Sequence, residues 1–175
     1  MEDEMDKQIL VAYATKYGAT REIAEKIGQG IRESGLSADV LLVKEVRDLS
    51  SYDAVVLGSA VYIGGWRKEA VKFLEKYEGE LAEKPVWLFS SGPVGEGDPV
   101  ELLDGWRFPE KQQPIADRIQ PRDTVVFHGS VDVEKLNFLE KSMINTVKSP
   151  VGDFRDWGAI TSWATAIAVE LKEAS

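Results

Sequence analysis

Seven consecutive residues, Gln8-Ile9-Leu10-Val11-Ala12-Tyr13-Ala14, form an apolar run that stops on Thr15-Lys16-Tyr17-Gly18-Ala19-Thr20 and passes at once into a helical pattern. A short run without alternating polar positions is the signature of a strand buried on both faces. A sheet achieves that when helices cover both of its sides. In the following segment Ile23, Ile27 and Ile31 recur every four residues and Gly35 ends the pattern. A helix is therefore predicted over residues 20–34, with Thr20 as its N-cap. Strand, tight loop and helix in this order commit the chain to an α/β architecture.

The rest of the sequence repeats the alternation. Further strands are predicted over residues 40–43, 53–58, 86–90 and 124–128. A helix over 67–78 carries Ala70, Val71, Leu74 and Tyr77 on one side, and a last helix over 156–173 carries Trp157, Ile160, Ala164, Ile167 and Leu171, with Asp156 as its N-cap. Between them a helical pattern over 134–148 places Leu136, Phe138, Leu139, Met143, Ile144 and Val147 on an apolar stripe, with Glu134, Lys135, Glu140 and Lys141 on its solvated face. Two readings of that stripe compete, ordinary core packing and a cover for a quinone or a partner, and core packing is the favoured one. Residues 92–122 hold Pro93, Pro99, Pro109, Pro114 and Pro121, a long punctuated connection with a short helix near 115–119. With no repeat, linker or low-complexity tract, residues 8–175 read as a single domain behind an acidic tail over 1–7.

Three loops follow strands on one rim of the predicted sheet. In the first, Gly18 permits close backbone approach, and Thr15 and Thr20 add hydroxyls beside the unpaired N–H groups of a helix start, where an anion is favoured. The segment lacks the glycine and lysine spacing of nucleoside-triphosphate and dinucleotide loops, so a monophosphate fits better. A plain turn with a threonine cap is the competing reading. The second loop, Gly58-Ser59-Ala60-Val61-Tyr62-Ile63-Gly64-Gly65-Trp66, offers flat faces at Tyr62 and Trp66 and backbone access at Gly64 and Gly65. The third, Ser90-Ser91-Gly92-Pro93-Val94-Gly95-Glu96-Gly97, brings backbone polar groups to the surface. With strand order 2-1-3-4-5 the first two loops meet where the order reverses, the usual ligand crevice of an open α/β sheet.

Composition narrows the chemistry. A formal charge of -9 leaves no basic surplus for nucleic acid or an anionic lipid surface, and it favours encounters with a basic redox partner protein. There is no cysteine, hence no disulfide, thiol nucleophile or iron–sulfur ligation, and the single histidine, His128, excludes a multi-histidine metal site. His128 ends the fifth strand on the same rim, and a structural role is favoured over an acid–base one. No apolar run spans a bilayer and the N-terminus lacks the pattern of a secretion signal, which makes a cytoplasmic location the expectation. A catalyst of this composition takes its reactive group from a cofactor.

These features resemble the flavodoxin-like superfamily, and within it the branch that contains the menaquinone-dependent protoporphyrinogen dehydrogenases. The resemblance rests on the T-[KR]-x-G-x-T pattern at Thr15 to Thr20, on Gly58 to Gly64, and on Asp156-Trp157 opening the last helix. It implies a doubly wound five-stranded parallel sheet with an insertion over 131–155, between strand 5 and the last helix. It also implies FMN as cofactor. The phosphate would rest on Thr15, Lys16, Tyr17, Gly18, Ala19 and Thr20. The ring would lie among Ser59, Ala60, Val61, Tyr62, Ile63 and Gly64 on one side and Ser91, Gly92, Pro93, Val94 and Gly95 on the other. Electron transfer or flavin-dependent oxidation of a quinone or another small molecule follows, with protoporphyrinogen as one substrate. Tyr17 departs from the family, whose simple members more often carry threonine or serine there, and so does the Gly-Pro-Val-Gly wording of the third loop. A flavin-free binding or regulatory module is the alternative. A phosphorylated receiver is disfavoured, because Thr15-Lys16 and Ser59 stand where acidic residues are needed.

Overall fold

A computed structural model describes residues 7–147 and 150–174. Five parallel strands form the sheet: β1 (Gln8–Ala14), β2 (Ser37–Leu42), β3 (Ala54–Tyr62), β5 (Val86–Ser91) and β6 (Asp123–Phe127), in the order β2-β1-β3-β5-β6. A two-residue strand, β4 (Gly65–Trp66), folds back antiparallel on the end of β3. The five main strands keep the predicted 2-1-3-4-5 order, so the order reverses between β1 and β3 as the alternation requires.

Strand residues alternate between two cores. Ile9, Val11 and Tyr13 of β1 face one side, where α1 (Ala19–Glu33) and α6 (Trp157–Glu173) cover them with Ile23, Ile27, Ile31, Ile160 and Ile167. Leu10, Ala12 and Ala14 face the other side, under α2 (Lys68–Leu81) and α4 (Gln113–Ile119), with Phe73, Leu74, Ile115 and Ile119. The period-two pleat thus splits one apolar run between two helical layers, which is what an unbroken apolar strand demands.

The helix ends follow local chemistry. α1 closes with Gly35 N–H on the Arg32 carbonyl and Leu36 N–H on the Ile31 carbonyl, with Gly35 at φ 97, the pairing of a Schellman ending. α6 opens on Asp156, whose carboxylate accepts the Ala159 N–H at 3.0 Å, as expected from the sequence. Thr20 is not the N-cap of α1. Gly18 holds that position at φ 95, and Thr20 is buried inside the first turn.

Two other expectations are corrected. The pattern predicted as a helix over 134–148 is broken: residues Val133–Lys135 form a 3₁₀ turn, and α5 (Phe138–Val147) starts after Asn137. Asn137 and Glu140 make a reciprocal cap, Asn137 Oδ1 accepting the Glu140 N–H at 2.8 Å and Glu140 Oε1 accepting the Asn137 N–H at 3.1 Å. Nor does the apolar stripe pack in a core, since Phe138, Leu139 and Met143 are 84%, 72% and 61% exposed. Lys148 and the side chain of Val147 lie outside the described residues, as do residues 1–6 of the acidic tail.

The insertion after β6 is closed at its base by an antiparallel pair, β7 (Ser130–Val131) with β8 (Gly152–Asp153). Arg155 locks that base to the sheet domain. It pairs with Asp153, reaches Glu22 and the Ala19 carbonyl in the first turn of α1, and lies 4.7 Å above the Trp157 ring. A short helix, α3 (Pro99–Leu102), capped by Asp98, sits in the proline-rich connection.

Candidate functional site

A cavity of about 420 Å³ opens where β1, β3 and β5 end at the carboxyl rim of the sheet, within the roughly 300–1,000 Å³ range of small-molecule sites. Of the first predicted loop, Thr15, Lys16, Tyr17, Ala19 and Thr20 line it; of the second, Ala60, Val61, Tyr62 and Ile63; of the third, Ser91 and Gly92. The first N–H groups of α1 have no carbonyl partner within the helix, as at any helix start. They stand behind this lining.

The loop geometry explains these placements. Gly18 spends its N–H on Thr15 Oγ1 at 3.0 Å, which tightens the turn into α1. Thr20 and Ser91, both buried, share a hydroxyl–hydroxyl hydrogen bond of 2.8 Å that ties α1 to the end of β5. The segment 59–62 is strand, not loop, and the chain reverses through Ile63 and Gly64 at φ 51 and 73, both left-handed, a type I′ hairpin. This hairpin presents Tyr62 and Ile63 to the cavity. Part of the lining is bare backbone: a Cβ at Gly129 would stand 2.9 Å from the Gly92 carbonyl oxygen, so two backbone segments meet there at glycine distance.

Several predicted residues lie outside the cavity lining. Ser59 is fully buried, and its hydroxyl accepts the Arg67 N–H at 3.0 Å and donates to the Ala60 carbonyl at 2.9 Å. Gly18, Gly64, Pro93, Val94 and Gly95 are not among the lining residues. Pro93 is buried, and its carbonyl accepts the Gly129 N–H at 2.9 Å, which props the start of the insertion. Trp66 is core: its indole N–H donates to Ser90 Oγ at 2.8 Å and its ring meets Phe108 edge-on. His128 Nε2 bonds the Gly97 carbonyl at 2.7 Å, a structural contact between β6 and the third loop.

The insertion completes the cavity, and this the sequence reading missed. Gly129, Ser130, Val131 and Asp132 line it from the base of the insertion, while Leu136, Glu140, Met143 and Ile144 line it from the far side. From sequence, Leu136, Met143 and Ile144 are candidates for a cover, whereas Glu140 falls on the solvated face of the pattern. Its carboxylate instead accepts hydrogen bonds from Lys16 Nζ at 2.6 Å, from the Tyr17 hydroxyl, and from the Tyr62 hydroxyl at 3.1 Å. Lys16 Nζ also donates to Tyr62 Oη at 2.9 Å and lies 4.0 Å from the centre of its ring. The Lys16 ammonium, helped by Tyr17 and the Asn137 N–H, holds the Glu140 carboxyl down at about 2. Hydrogen bonds from Lys16 to Glu140 and Tyr62 push its ammonium above the usual lysine value, so both partners are charged at neutral pH. The available signal was Asn137-Phe138-Leu139-Glu140, the spacing of a capping box, which fixes the helix start and turns Glu140 inward.

Among the described residues no group of three or more histidines, cysteines or carboxylates is arranged to hold a metal, and no helix is long and apolar enough to cross a membrane. A doubly wound sheet with an anion-favouring helix start, an aromatic edge and an apolar far wall at the switch point defines the class. The flavodoxin-domain family model matches residues 10–157, and the chain belongs to that family. A protoporphyrinogen IX dehydrogenase (quinone) of Escherichia coli strain K12 is 23% identical, over 91% of this chain and 93% of that protein. An NAD(P)H dehydrogenase (quinone) of Afipia carboxidovorans is 27% identical over 43% of this chain and 49% of its own length. Among solved structures, a flavodoxin from the domain Archaea superposes with a TM-score of 0.58 at 15% identity, covering 94% of this chain and 99% of that one. The rubredoxin oxygen:oxidoreductase of Desulfovibrio gigas gives 0.63 at 16% identity, and this chain spans 37% of that larger one.

Proposed function

We propose that the cavity holds FMN and that the protein is an FMN-dependent oxidoreductase. The observation that carries this reading is the convergence, at one switch-point cavity, of the Thr15-to-Thr20 helix start with the Tyr62 edge and the Ser91-Gly92 backbone. The phosphate is assigned to the backbone N–H groups of Lys16, Tyr17, Ala19 and Thr20, and the ring to the space between Tyr62-Ile63 and Gly92. When bound, the flavin supplies one- and two-electron transfer. The protein positions it, limits water on its exposed edge through Leu136, Met143 and Ile144, and carries a net charge of -9 that disfavours the anionic reduced form.

The apolar far wall supports an enzyme with its own oxidisable substrate over a bare electron carrier, because a carrier leaves its flavin edge open to partners. We take the substrate to be a porphyrinogen or a related small molecule with a quinone as acceptor, in keeping with the relatives' activities. The test begins with the visible spectrum of the purified protein, before and after incubation with FMN. A protein that stays colourless refutes the flavin reading and leaves a flavin-free binding module. A yellow protein that fails to oxidise protoporphyrinogen IX with menadione as acceptor refutes the dehydrogenase and leaves electron transfer to a redox partner.

A further inference from the structure

The far wall of the cavity belongs to α5, and α5 lacks the support of a core. Its outward apolar side chains are exposed, and the insertion that carries it joins the sheet domain at the paired base of β7 and β8. At the cavity, the carboxylate of Glu140 gathers the polar contacts from α5 to the first loop and the hairpin: Lys16 Nζ, the Tyr17 hydroxyl and the Tyr62 hydroxyl. Lys135 adds one longer contact, its Nζ 3.5 Å from the Tyr17 carbonyl. The Glu140 side chain is 12% exposed and that of Lys16 27%, so the pair is sheltered from water. The same carboxylate caps its own helix through the Asn137 N–H, a contact made within α5 that holds its rotamer toward the cavity.

We infer that Glu140 is the clasp of this cavity, a positioning residue that pins α5 across Lys16, Tyr17 and Tyr62 and so sets how fast an occupant enters and leaves. The inference rests on the flavin reading for the identity of the occupant and not for the clasp itself. A clasp has a kinetic signature. Loosening it raises the open fraction of the empty site and the opening rate of the filled one, so association and dissociation speed up together. Simple removal of a negative charge near a phosphate would speed association and slow dissociation.

Glu140→Gln is the cleanest perturbation, because glutamine still serves a capping box while the charge on Lys16 is unpaired. Tyr17→Phe combined with Tyr62→Phe removes two clasp partners without touching α5. Glu134→Gln makes the same charge change on the insertion at an exposed residue and is the control. Two measurements apply: amide hydrogen exchange of residues 138–146 in the flavin-free protein, and stopped-flow fluorescence of FMN binding and release. Loss of one hydrogen bond to a charged group corresponds to a change of about tenfold or more. Exchange in α5, and both FMN rate constants, are expected to rise about tenfold in E140Q and in the double tyrosine variant and to be unchanged in E134Q. Unchanged α5 exchange in E140Q overturns the clasp, as does an equal rise in E134Q or a rise in the association rate alone. Failure of FMN to bind sinks the flavin reading and leaves the exchange measurement to decide the clasp.

Discussion

Replacing Gly30 by alanine sets two effects of opposite sign against each other. In an unobstructed helix interior the change stabilises by about 1 kcal/mol, through the lower backbone entropy of the unfolded chain. Gly30 is not unobstructed, since α1 crosses α6 there and a Cβ would stand 2.8 Å from the Cβ of Ala164. Carbon atoms rest at about 3.5–4.0 Å, so the helices have to part by roughly 1 Å. The Ala164 methyl is fixed to its own backbone and fully buried, so it has nowhere to turn. Parting the helices loosens Ile23, Ile27, Ile31, Ile160 and Ile167 along the same seam. Overpacking of this kind costs about 1–3 kcal/mol.

After the propensity gain, a net loss of about 0–2 kcal/mol remains for Gly30→Ala, or a fall in Tm of up to about 8 °C. Urea unfolding followed by far-ultraviolet circular dichroism measures it. Gly79→Ala is the reference, since Gly79 is an exposed residue of α2 whose Cβ would meet nothing within 4 Å. That variant should gain about 0.5–1 kcal/mol. Adding Ala164→Gly to Gly30→Ala should recover at least about 1 kcal/mol of coupling, in the range of contacting pairs. A Gly30→Ala protein as stable as Gly79→Ala would refute the close helix crossing.

Two shorter predictions concern the cavity. Ile63 holds a left-handed conformation at φ 51 although it is β-branched, and its side chain is 84% exposed, so Ile63→Asn in this type I′ turn should raise stability by about 1 kcal/mol in the same urea assay; a loss would show that the Ile63 side chain supports the hairpin through packing. Glu140 is held at about 2, below the ordinary 4.5, so its clasp is fully present above pH about 4.5 and fades as pH falls toward 2. The difference in α5 protection between wild type and Glu140→Gln should therefore be constant from pH 8 to about 4.5 and shrink progressively as pH falls from there toward 2, and a difference that disappears near neutrality would contradict the assignment.

The strand order and both helical layers were legible because β1 is apolar on both faces and Ile23, Ile27 and Ile31 mark a single face of α1. The first loop was legible for the same reason, as it had to fill the short gap between those two elements. Misreadings cluster where a polar residue serves the backbone or a buried partner. Ser59 was read as a ligand-facing residue, yet its hydroxyl holds the start of α2. From sequence Trp66 is open to two readings, a ring platform or packing on the following helix, and its indole, satisfied by a buried serine, belongs to the core. Neither partner is close in sequence, and hydroxyl pairing leaves no periodic trace. The insertion was harder still. Its apolar stripe has the period of a core helix, and period alone does not say whether a second layer exists to receive it.

The charge on the cavity ties these observations together. Among the described residues its lining carries one cation, Lys16, and two carboxylates, Asp132 and Glu140. From sequence alone, Lys16 in a phosphate-type loop reads as a charge reserved for the ligand. The structure gives that charge to Glu140, and Tyr62 shares in it. An anion entering the loop then finds the Lys16 ammonium already paired, and its attraction comes from the backbone N–H groups and dipole of α1, which act at short range and fade beyond the first turn. The chain has therefore moved its one cavity cation from holding a ligand to holding a wall. The contact most able to control the passage of an anion is the one between Lys16 and Glu140.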